Sequence, residues 1–410
     1  MPETPDRAGA DESKSRDHKA LGTQLDLFLF NDLVGPGLPL WTPKGTVLRE
    51  ELDAFVWSLR AKAGYEKVEI PHLAKKDLYE KSGHWAKFKD DLFRVKTREG
   101  HEFAIKPMNC PHHTQIYARK PQSYRELPVR YANTTMCYRD EQTGELNGLA
   151  RLRSFTQDDA HVFCRHSQVE EEFLKIWDIV DEFYSAFGFV LSPSLSLSDP
   201  KNMDAYLGDA KLWKQAEDAL RSVAKKRKVR CPEVLGEAAF YGPKIDFMAE
   251  DSLGRKWQVA TIQLDLNMPE RFDLTCINEK GEPERIVMIH YAVMGALERF
   301  LSILLEHAQG VFPAWLAPIQ IAVATVSNEK HLAYAQKLAE ELKAKGARVW
   351  VDDSDESVGK KVRNSEQQKI PYTLVIGDRE MGGEKLAVRP HGEKDTVEMT
   401  RDELIGKLRR

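Results

Sequence analysis

The sequence predicts an α/β (α+β) chain of two folded domains: a larger one built on antiparallel strands flanked by helices, and a smaller α/β domain at the C-terminal end. Three observations predict it. A chain of 410 residues, 42% hydrophobic and 30% charged, is too long for one ordinary core and too apolar for disorder. Two stretches rich in β-branched and aromatic residues, 126–139 and 151–163, are joined by a polar, glycine-containing stretch, as in an antiparallel pair with a long loop. The proline-punctuated segment from Phe312 to Pro318 then separates this region from a shorter one that alternates strand and helix.

Residues 1–20 mix acids and bases without an apolar core or the acid-poor character of a transit peptide, and read as a disordered or remnant tail. From Leu48 the apolar residues Leu52, Phe55, Val56 and Leu59 recur at helical spacing until Gly64, and Lys67 to Ile70 alternates as a strand that meets Pro71. Ser167 with Glu170 forms a capping-box pattern before the apolar face of Val169, Phe173, Ile176, Val180, Phe183 and Phe187, which Gly188 stops. A helix near Asp209 to Lys226 ends in Lys225, Lys226, Arg227 and Lys228. RNA contact is one reading of this basic end; cations suiting a helix C-terminus is the favoured one. Trp257 to Leu266 reads as a strand, and Val293, Leu297, Phe300, Leu301 and Leu304 as one helical face. Beyond the linker the pattern gives strand 319–326, helix 329–345, strand 348–352, helix 357–369, strands 373–377 and 385–389, and a closing helix capped by Thr400 with Glu403. The expected domains are 21–313 and 314–410.

Lys plus Arg (60) nearly balances Asp plus Glu (64), a net charge of −4, which excludes a broad charge-driven nucleic-acid binder. The five cysteines are scattered and odd in number, so no disulfide framework is expected and the compartment is read as reducing. No apolar run approaches the length of a bilayer span, so no membrane partner is expected.

Arg130, Arg139, Arg151 and Arg153 flank one loop, and Arg299 sits on an apolar helix where a buried guanidinium needs an anion. A triphosphate would serve; so would ordinary ion pairs with Glu141, Glu145, Asp158 and Asp159, at least as well on spacing alone. Neither a P-loop nor a Gly-x-Gly-x-x-Gly loop is present. Cys110-Pro111-His112-His113 and Cys164-Arg165-His166 each bring soft and imidazole ligands together without the paired spacing of a structural zinc knot. Composition and spacing therefore reach only as far as an anion-binding or metal-binding site in the larger domain.

Six segments together carry more: Gly83-His84-Trp85, Lys106-Pro107-Met108-Asn109-Cys110-Pro111, Tyr138-Arg139-Asp140-Glu141, Phe155-Thr156-Gln157-Asp158-Asp159-Ala160-His161, Phe240-Tyr241-Gly242-Pro243-Lys244, and Met288-Ile289-His290 with Glu298-Arg299-Phe300. From Leu21 to the C-terminus the chain resembles the threonyl-tRNA synthetase family, class II aminoacyl-tRNA synthetases. The resemblance implies a class II catalytic domain on an antiparallel sheet and a C-terminal anticodon-binding domain. It implies that Cys110, His161 and His290 bind one zinc ion whose open position accepts the amino group and hydroxyl of L-threonine. Asp159 and Tyr241 would hold the ammonium, with Met108 and Gln157 lining the pocket. For ATP with Mg2+, it implies Arg139 and Arg299 as the catalytic phosphate-binding pair, Arg151 nearby, Phe155 stacked on the adenine and Glu141 at the base edge; Gln258, Thr261 and Gln263 would face the nucleotide or the tRNA end. In the tail, Arg363, Glu380 and Arg389 match anticodon-reading positions, in a region whose 17 Lys and Arg against 16 Asp and Glu from Trp315 onward give only +1. For Arg389 alone, a surface ion pair would be the default reading. The implied partners are ATP, threonine, tRNA(Thr) and a second copy of the chain, joined through the helix 48–62 with Pro71, and the implied location is cytoplasmic.

Zinc would answer a physical problem, since an apolar pocket separates threonine from the near-isosteric valine by only about 100-fold. Some positions depart from the family pattern. His112 and Ser154 stand for glycine, Tyr291 for arginine, Ala296 for serine, Val259-Ala260 for Cys-Gly, and Ser354-Asp355-Glu356-Ser357 for Arg-Asn-Glu-Lys. With some twenty residues before the match, the expectation is a form without ubiquitin-like and cis-editing domains, one that misacylates tRNA with serine unless another protein clears it. The alternatives are a synthetase-like paralogue that binds tRNA or mRNA without catalysis, and one that activates a related amino acid.

Overall fold

The structure is a computed structural model and describes residues 17–252 and 254–410. These fall into two compact units, one of Phe30–Leu38 and Asp53–Ile303, the other of the residues up to Leu29 with Pro39–Leu52 and Leu304–Arg410.

The larger unit is organised by an eight-stranded sheet. Its strands are β1 (Glu66–Lys67), β2 (Val129–Tyr138), β3 (Ser154–Cys164), β4 (Leu191–Leu197), β5 (Glu233–Leu235), β6 (Lys244–Glu250), β7 (Lys256–Asp265) and β8 (Val287–Ala292), in spatial order β5-β4-β6-β7-β8-β3-β2-β1. Only the outermost pairs, β5 with β4 and β1 with β2, are parallel. The strands β2 and β3 pair from Val129 opposite Phe163 to Tyr138 opposite Ser154, the antiparallel pair expected from the sequence. Central β8 is buried from Val287 through Tyr291, so it reads as a continuous apolar run interrupted by His290.

Around the sheet lie helices α1 (Pro43–Lys62), α2 (Cys110–Tyr117), α3 (Val169–Ser185), α4 (Ala210–Arg227) and α5 (Leu297–Ala308). Helix α1 starts five residues before the apolar period, on a proline preset for a first helical turn. Helix α3 packs Phe183 against Phe55, Phe187 and Phe300 at ring distances of 5.1, 5.2 and 5.3 Å, with Phe183 fully buried. Phe183→Ala is expected to cost about 3–5 kcal/mol, read as a lowered denaturant midpoint with unchanged slope. Two of the four cations at the end of α4 pair with α3: Lys226 with Glu170, and Arg227 with Asp178 at 2.6 Å.

Four expectations change. Helix α3 begins at Val169 after a short 3-10 turn at His166–Gln168, so Ser167 is not its cap. Val293 lies outside α5, because Gly295 at φ +69 turns the chain between β8 and the helix. The strand expected over 67–70 pairs only at Glu66–Lys67, with Val68 adding one backbone hydrogen bond to Ala132. Residues 17–20, assigned to the tail, open a helix (His18–Gln24) capped by Asp17, with His18 buried and its Nδ1 2.6 Å from Glu306 Oε1; residues 1–16 lie outside the described residues.

The smaller unit carries a five-stranded sheet of β9 (Ile321–Thr325), β10 (Val349–Asp352), β11 (Tyr372–Ile376), β12 (Lys385–Pro390) and β13 (Val397–Thr400), in order β10-β9-β11-β12-β13. Strand β9 is parallel to both neighbours, and β12 and β13 run antiparallel. Helices α6 (Asn328–Ala344) and α7 (Val358–Gln367) follow β9 and β10, and α8 (Arg401–Lys407) closes the chain on the capping box of Thr400 and Glu403. Short strand β13 was not anticipated. Because β10 and β11 lie on opposite sides of β9, the strand order switches between β9 and β11, and it is outside the carboxyl ends at such a switch point that open α/β sheets bind ligands. Buried Lys361 of α7 donates to Thr325 Oγ1, the last residue of β9, and to Asn328 Oδ1 at 2.9 Å each.

Candidate functional site

The sheet order turns distant sequence positions into neighbours. His161 on β3 lies directly opposite His290 on β8, and Cys110 opens α2 beside them. One ligand atom from each of Cys110, His161 and His290 lies within 4.8 Å of the others, and all three residues are buried. Each is oriented by a further group. His161 Nδ1 is 2.7 Å from His113 Nδ1, His290 Nε2 is 3.0 Å from Asp265 Oδ2, and Cys110 Sγ is 3.6 Å from His84 Nε2. Asp265 is itself fixed, accepting from the backbone N–H groups of Asn267 and Met268 at 2.7 and 2.9 Å. Burial holds His161 well below the usual imidazole range, and so keeps it the neutral lone-pair donor. Burial pushes the Cys110 thiol well up. One thiol and two imidazoles, each held by an outer hydrogen-bonding partner, form a donor set that could hold a metal ion such as zinc with a coordination position left free.

A cavity of about 220 Å³ opens beside this cluster. It is lined by His161 and His290, by the four expected substrate residues Met108, Gln157, Asp159 and Tyr241, by Gln258, Thr261 and Gln263, and by Lys244, Val259, Tyr291, Ala292 and Gly295. Cys110 is not among the lining residues. Asp159 accepts from Asn109 Nδ2 at 3.1 Å, and Asn109 Oδ1 in turn accepts from buried Lys106 at 2.9 Å. Burial pushes the Asp159 carboxyl up to about 6, against the opposing pull of His290 and the Asn109 hydrogen bond. Tyr241 donates to Gln263 Oε1 at 2.8 Å, its ring 5.3 Å from that of His290. The turn after it requires glycine: a Cβ on Gly242 would lie 1.7 Å from the carbonyl oxygen of Leu264.

Sequence reasoning missed Asp246. Its carboxylate pairs with Lys244 and accepts from Ser196 at 2.6 Å, Gln258 at 2.6 Å and Thr261 at 3.0 Å, organising three cavity residues. The available signal was the Lys-x-Asp spacing after Gly242-Pro243, which puts both side chains on one face of a strand.

Of the expected nucleotide residues, Gln258, Thr261 and Gln263 line this cavity, whereas Arg139, Glu141, Arg151 and Phe155 lie at the Tyr138/Ser154 end of the β2–β3 pair and Arg299 at the start of α5. Arg139 lies 5.1 and 5.3 Å over the rings of Phe155 and Phe88, and Arg299 lies 5.8 Å over that of Trp257. Among the described residues neither arginine makes an ion pair with a carboxylate. Burial lowers the Arg299 pKa. The start of α5 is tied to β3 by Glu298, which accepts from Thr156 N and Oγ1 at 2.7 and 3.0 Å. Arg151 and Glu141 instead answer each other at 2.7 Å, with Glu145 3.2 Å away, so here the ion-pair reading holds. Arg130 is likewise committed, to Glu172 at 2.6 Å.

In the smaller unit, Arg363 is exposed on α7 and Glu380 accepts from Gly377 N at 3.0 Å. Arg389 on β12 has only a 3.8 Å approach to Glu366, and among the described residues no hydrogen bond or ion pair joins these three. Ser354, one of the departures, folds back onto Asp352 Oδ1 at 2.5 Å. Of the departures in the larger unit, Val259 and Tyr291 line the cavity, Ala296 bridges Gln157, Ser154 and Ala260 are buried in β3 and β7, and His112 is buried with its ring 6.2 Å from that of Tyr79.

Residues 93–308 match the tRNA synthetase class II core domain (G, H, P, S and T), and residues 320–410 match an anticodon binding domain. A threonine–tRNA ligase of Cytophaga hutchinsonii is 47% identical over 398 residues, covering 96% of this chain and 62% of that relative, so the chain spans about three fifths of its length. A solved structure described as the RNA binding domain of threonyl-tRNA synthetase from Cryptosporidium parvum superimposes with a TM-score of 0.90 at 38% identity, over 96% of this chain and 97% of that one. A prolyl-tRNA synthetase of Giardia lamblia shares the fold at 18% identity, with a TM-score of 0.75 over 96% of this chain and 76% of the other.

Proposed function

The chain belongs to the threonyl-tRNA synthetase family of class II tRNA synthetases, and on that premise we propose that it activates L-threonine with ATP and transfers the threonyl group to the 3′ end of tRNA(Thr). The observation that carries this reading is the convergence of Cys110, His161 and His290 beside a cavity whose wall presents Asp159.

Cys110, His161 and His290 would hold one zinc ion, which when bound supplies a Lewis-acidic position for the amino and hydroxyl groups of the amino acid. Asp159 faces the ammonium as its counter-charge, steadied by Asn109, while Tyr241 is held by Gln263 and Met108 and Gln157 bound the pocket. A threonine carboxylate oxygen attacks the α-phosphorus of ATP, the bond to the bridging oxygen breaks, and pyrophosphate leaves with its electron pair. The terminal ribose hydroxyl of the tRNA then attacks the carbonyl carbon, giving up its proton as AMP departs. No protein nucleophile is required; positioning and charge neutralisation carry the first step. Arg139 and Arg299, stacked on rings and without carboxylate partners among the described residues, are available to phosphate oxygens alongside Mg2+. Phe155 offers a face to the adenine, while Glu141 and Arg151, already paired, present a preassembled polar edge. Asp246 fixes Gln258 and Thr261 for the nucleotide or the tRNA end.

In the smaller unit Arg363 on α7, Glu380 after β11 and Arg389 on β12 would read the anticodon through placed hydrogen bonds. A homodimer in the cytoplasm is the accompanying proposal; among the described residues no helix is long and apolar enough to cross a membrane.

Amino-acid-dependent ATP–pyrophosphate exchange with zinc-loaded protein tests the reading. Threonine is expected to support exchange, serine to do so about 10–200-fold less well for its lost methyl, and valine to fail by about 10⁴-fold for its missing hydroxyl. Absence of exchange with threonine refutes the enzyme reading, and a preference for serine or another amino acid points to a retuned paralogue.

A further inference from the structure

A buried cation that the proposed chemistry does not use ties together the walls of the amino-acid cavity. Arg60, in the last turn of α1, is 1% exposed. Its Nη1 pairs with Asp158, itself fully buried, its Nε donates to the Tyr291 hydroxyl at 3.2 Å, and its guanidinium lies 5.1 Å over the Tyr291 ring. Asp158 precedes Asp159 on β3, and Tyr291 follows His290 on β8. Asp158 Oδ2 accepts from the backbone N–H groups of Val293 and Met294 at 2.9 and 2.8 Å, and the Asp158 N–H donates to the carbonyl of Gly295 at 2.9 Å. Both Tyr291 and Gly295 line the cavity. One guanidinium thus bridges the strand of the ammonium-binding aspartate, the strand of an imidazole ligand and the turn between β8 and α5.

Burying such a pair is costly, and a buried ion pair is weak support for stability against an apolar replacement of similar volume. What it supplies is a fixed geometry: the planar fork holds Asp158 on one side and the Tyr291 hydroxyl on the other. Position 291, where the sequence resemblance leads one to expect arginine, is within reach of the same space, since the Tyr291 hydroxyl touches Arg60.

We propose that Arg60 is a positioning residue of the amino-acid pocket, acting through Asp158 and Tyr291 to hold Asp159, His290 and the 293–295 turn in one arrangement, and so setting threonine affinity, not the phosphoryl-transfer step. The inference rests on the proposed function. Its test therefore starts from parent protein loaded with zinc, whose failure to exchange pyrophosphate with threonine would defeat that function and not this role.

Given an active parent, R60K keeps the charge and loses the fork. Its KM for threonine is expected to rise about 10-fold, with kcat and the KM for ATP within about 2-fold, the split that marks lost ground-state positioning. R60L removes the cation and is expected to raise that KM more. The double variant R60L/Y291R returns a guanidinium from the neighbouring strand and is expected to recover KM to within about 3-fold of parent. A second readout, the thermal upshift produced by threonine on zinc-loaded protein, should shrink in R60L and return in the double variant. Should R60L fail to fold, R60K and the double variant still decide. Parent-like threonine KM in R60K, a kcat loss without KM change, or no recovery in a folded double variant each overturns the role.

Discussion

Cys110→Ser is expected to lose zinc and threonine activation together while keeping the fold. The exchange swaps sulfur for oxygen at the start of α2, at a site 1% exposed, so backbone and packing change little. The chemistry changes far more: a soft thiolate gives way to a neutral hydroxyl, leaving two imidazoles to hold the ion. Loss of even an outer hydrogen-bonding partner of a metal ligand typically costs 10–100-fold in affinity, so zinc affinity should fall by more than about 100-fold. Metal analysis should show a stoichiometry near one per chain in the parent and near zero in the variant. Threonine-dependent exchange should vanish with the far-ultraviolet dichroism unchanged. Stoichiometric zinc, or threonine activation near the parent level, in folded Cys110→Ser protein would remove the zinc assignment.

What could be read in the sequence follows from whether a signal is local. Helix α3 and the β2–β3 pair were legible because periodicity and turn residues act within a dozen positions, as was α8 through Thr400 and Glu403. The zinc candidates were not legible by spacing. Positions 161 and 290 meet because β8 is hydrogen-bonded to β3, a long-range pairing that no local pattern encodes, and family resemblance alone named the three residues. Val293 was misplaced because its apolar character fits both the end of a buried strand and a helix face, and only the turn at Gly295 decides. Arg60 did leave a trace. It sits four residues after Val56, on the face that α1 buries, and a charge at such a position implies a buried partner. The arginine cluster was legible as a cluster but not in its division. Arg151 and Arg130 have carboxylates, whereas Arg139 and Arg299 rest on aromatic rings.

That division sets the second large expectation, because only the arginines without carboxylate partners can meet the charge of a triphosphate without first breaking an ion pair. Arg139→Ala is expected to lower kcat for threonine-dependent exchange by about 10³-fold or more, the scale on which an arginine supports phosphoryl-transfer transition states. The threonine KM should change little, since the cavity lined by Asp159 and Tyr241 does not include Arg139. Arg139→Lys should recover part of the loss, for an ammonium restores charge but neither the bidentate fork nor the flat stacking on Phe155 and Phe88. Arg151→Ala is the internal contrast. Its guanidinium is half exposed and neutralised by Glu141 and Glu145, so the same measurement should show a loss of about 10-fold or less. If Arg139→Ala retains exchange within about 10-fold of the parent, or Arg151→Ala proves the more damaging, the phosphates lie against the paired arginine and the assignment must be reversed.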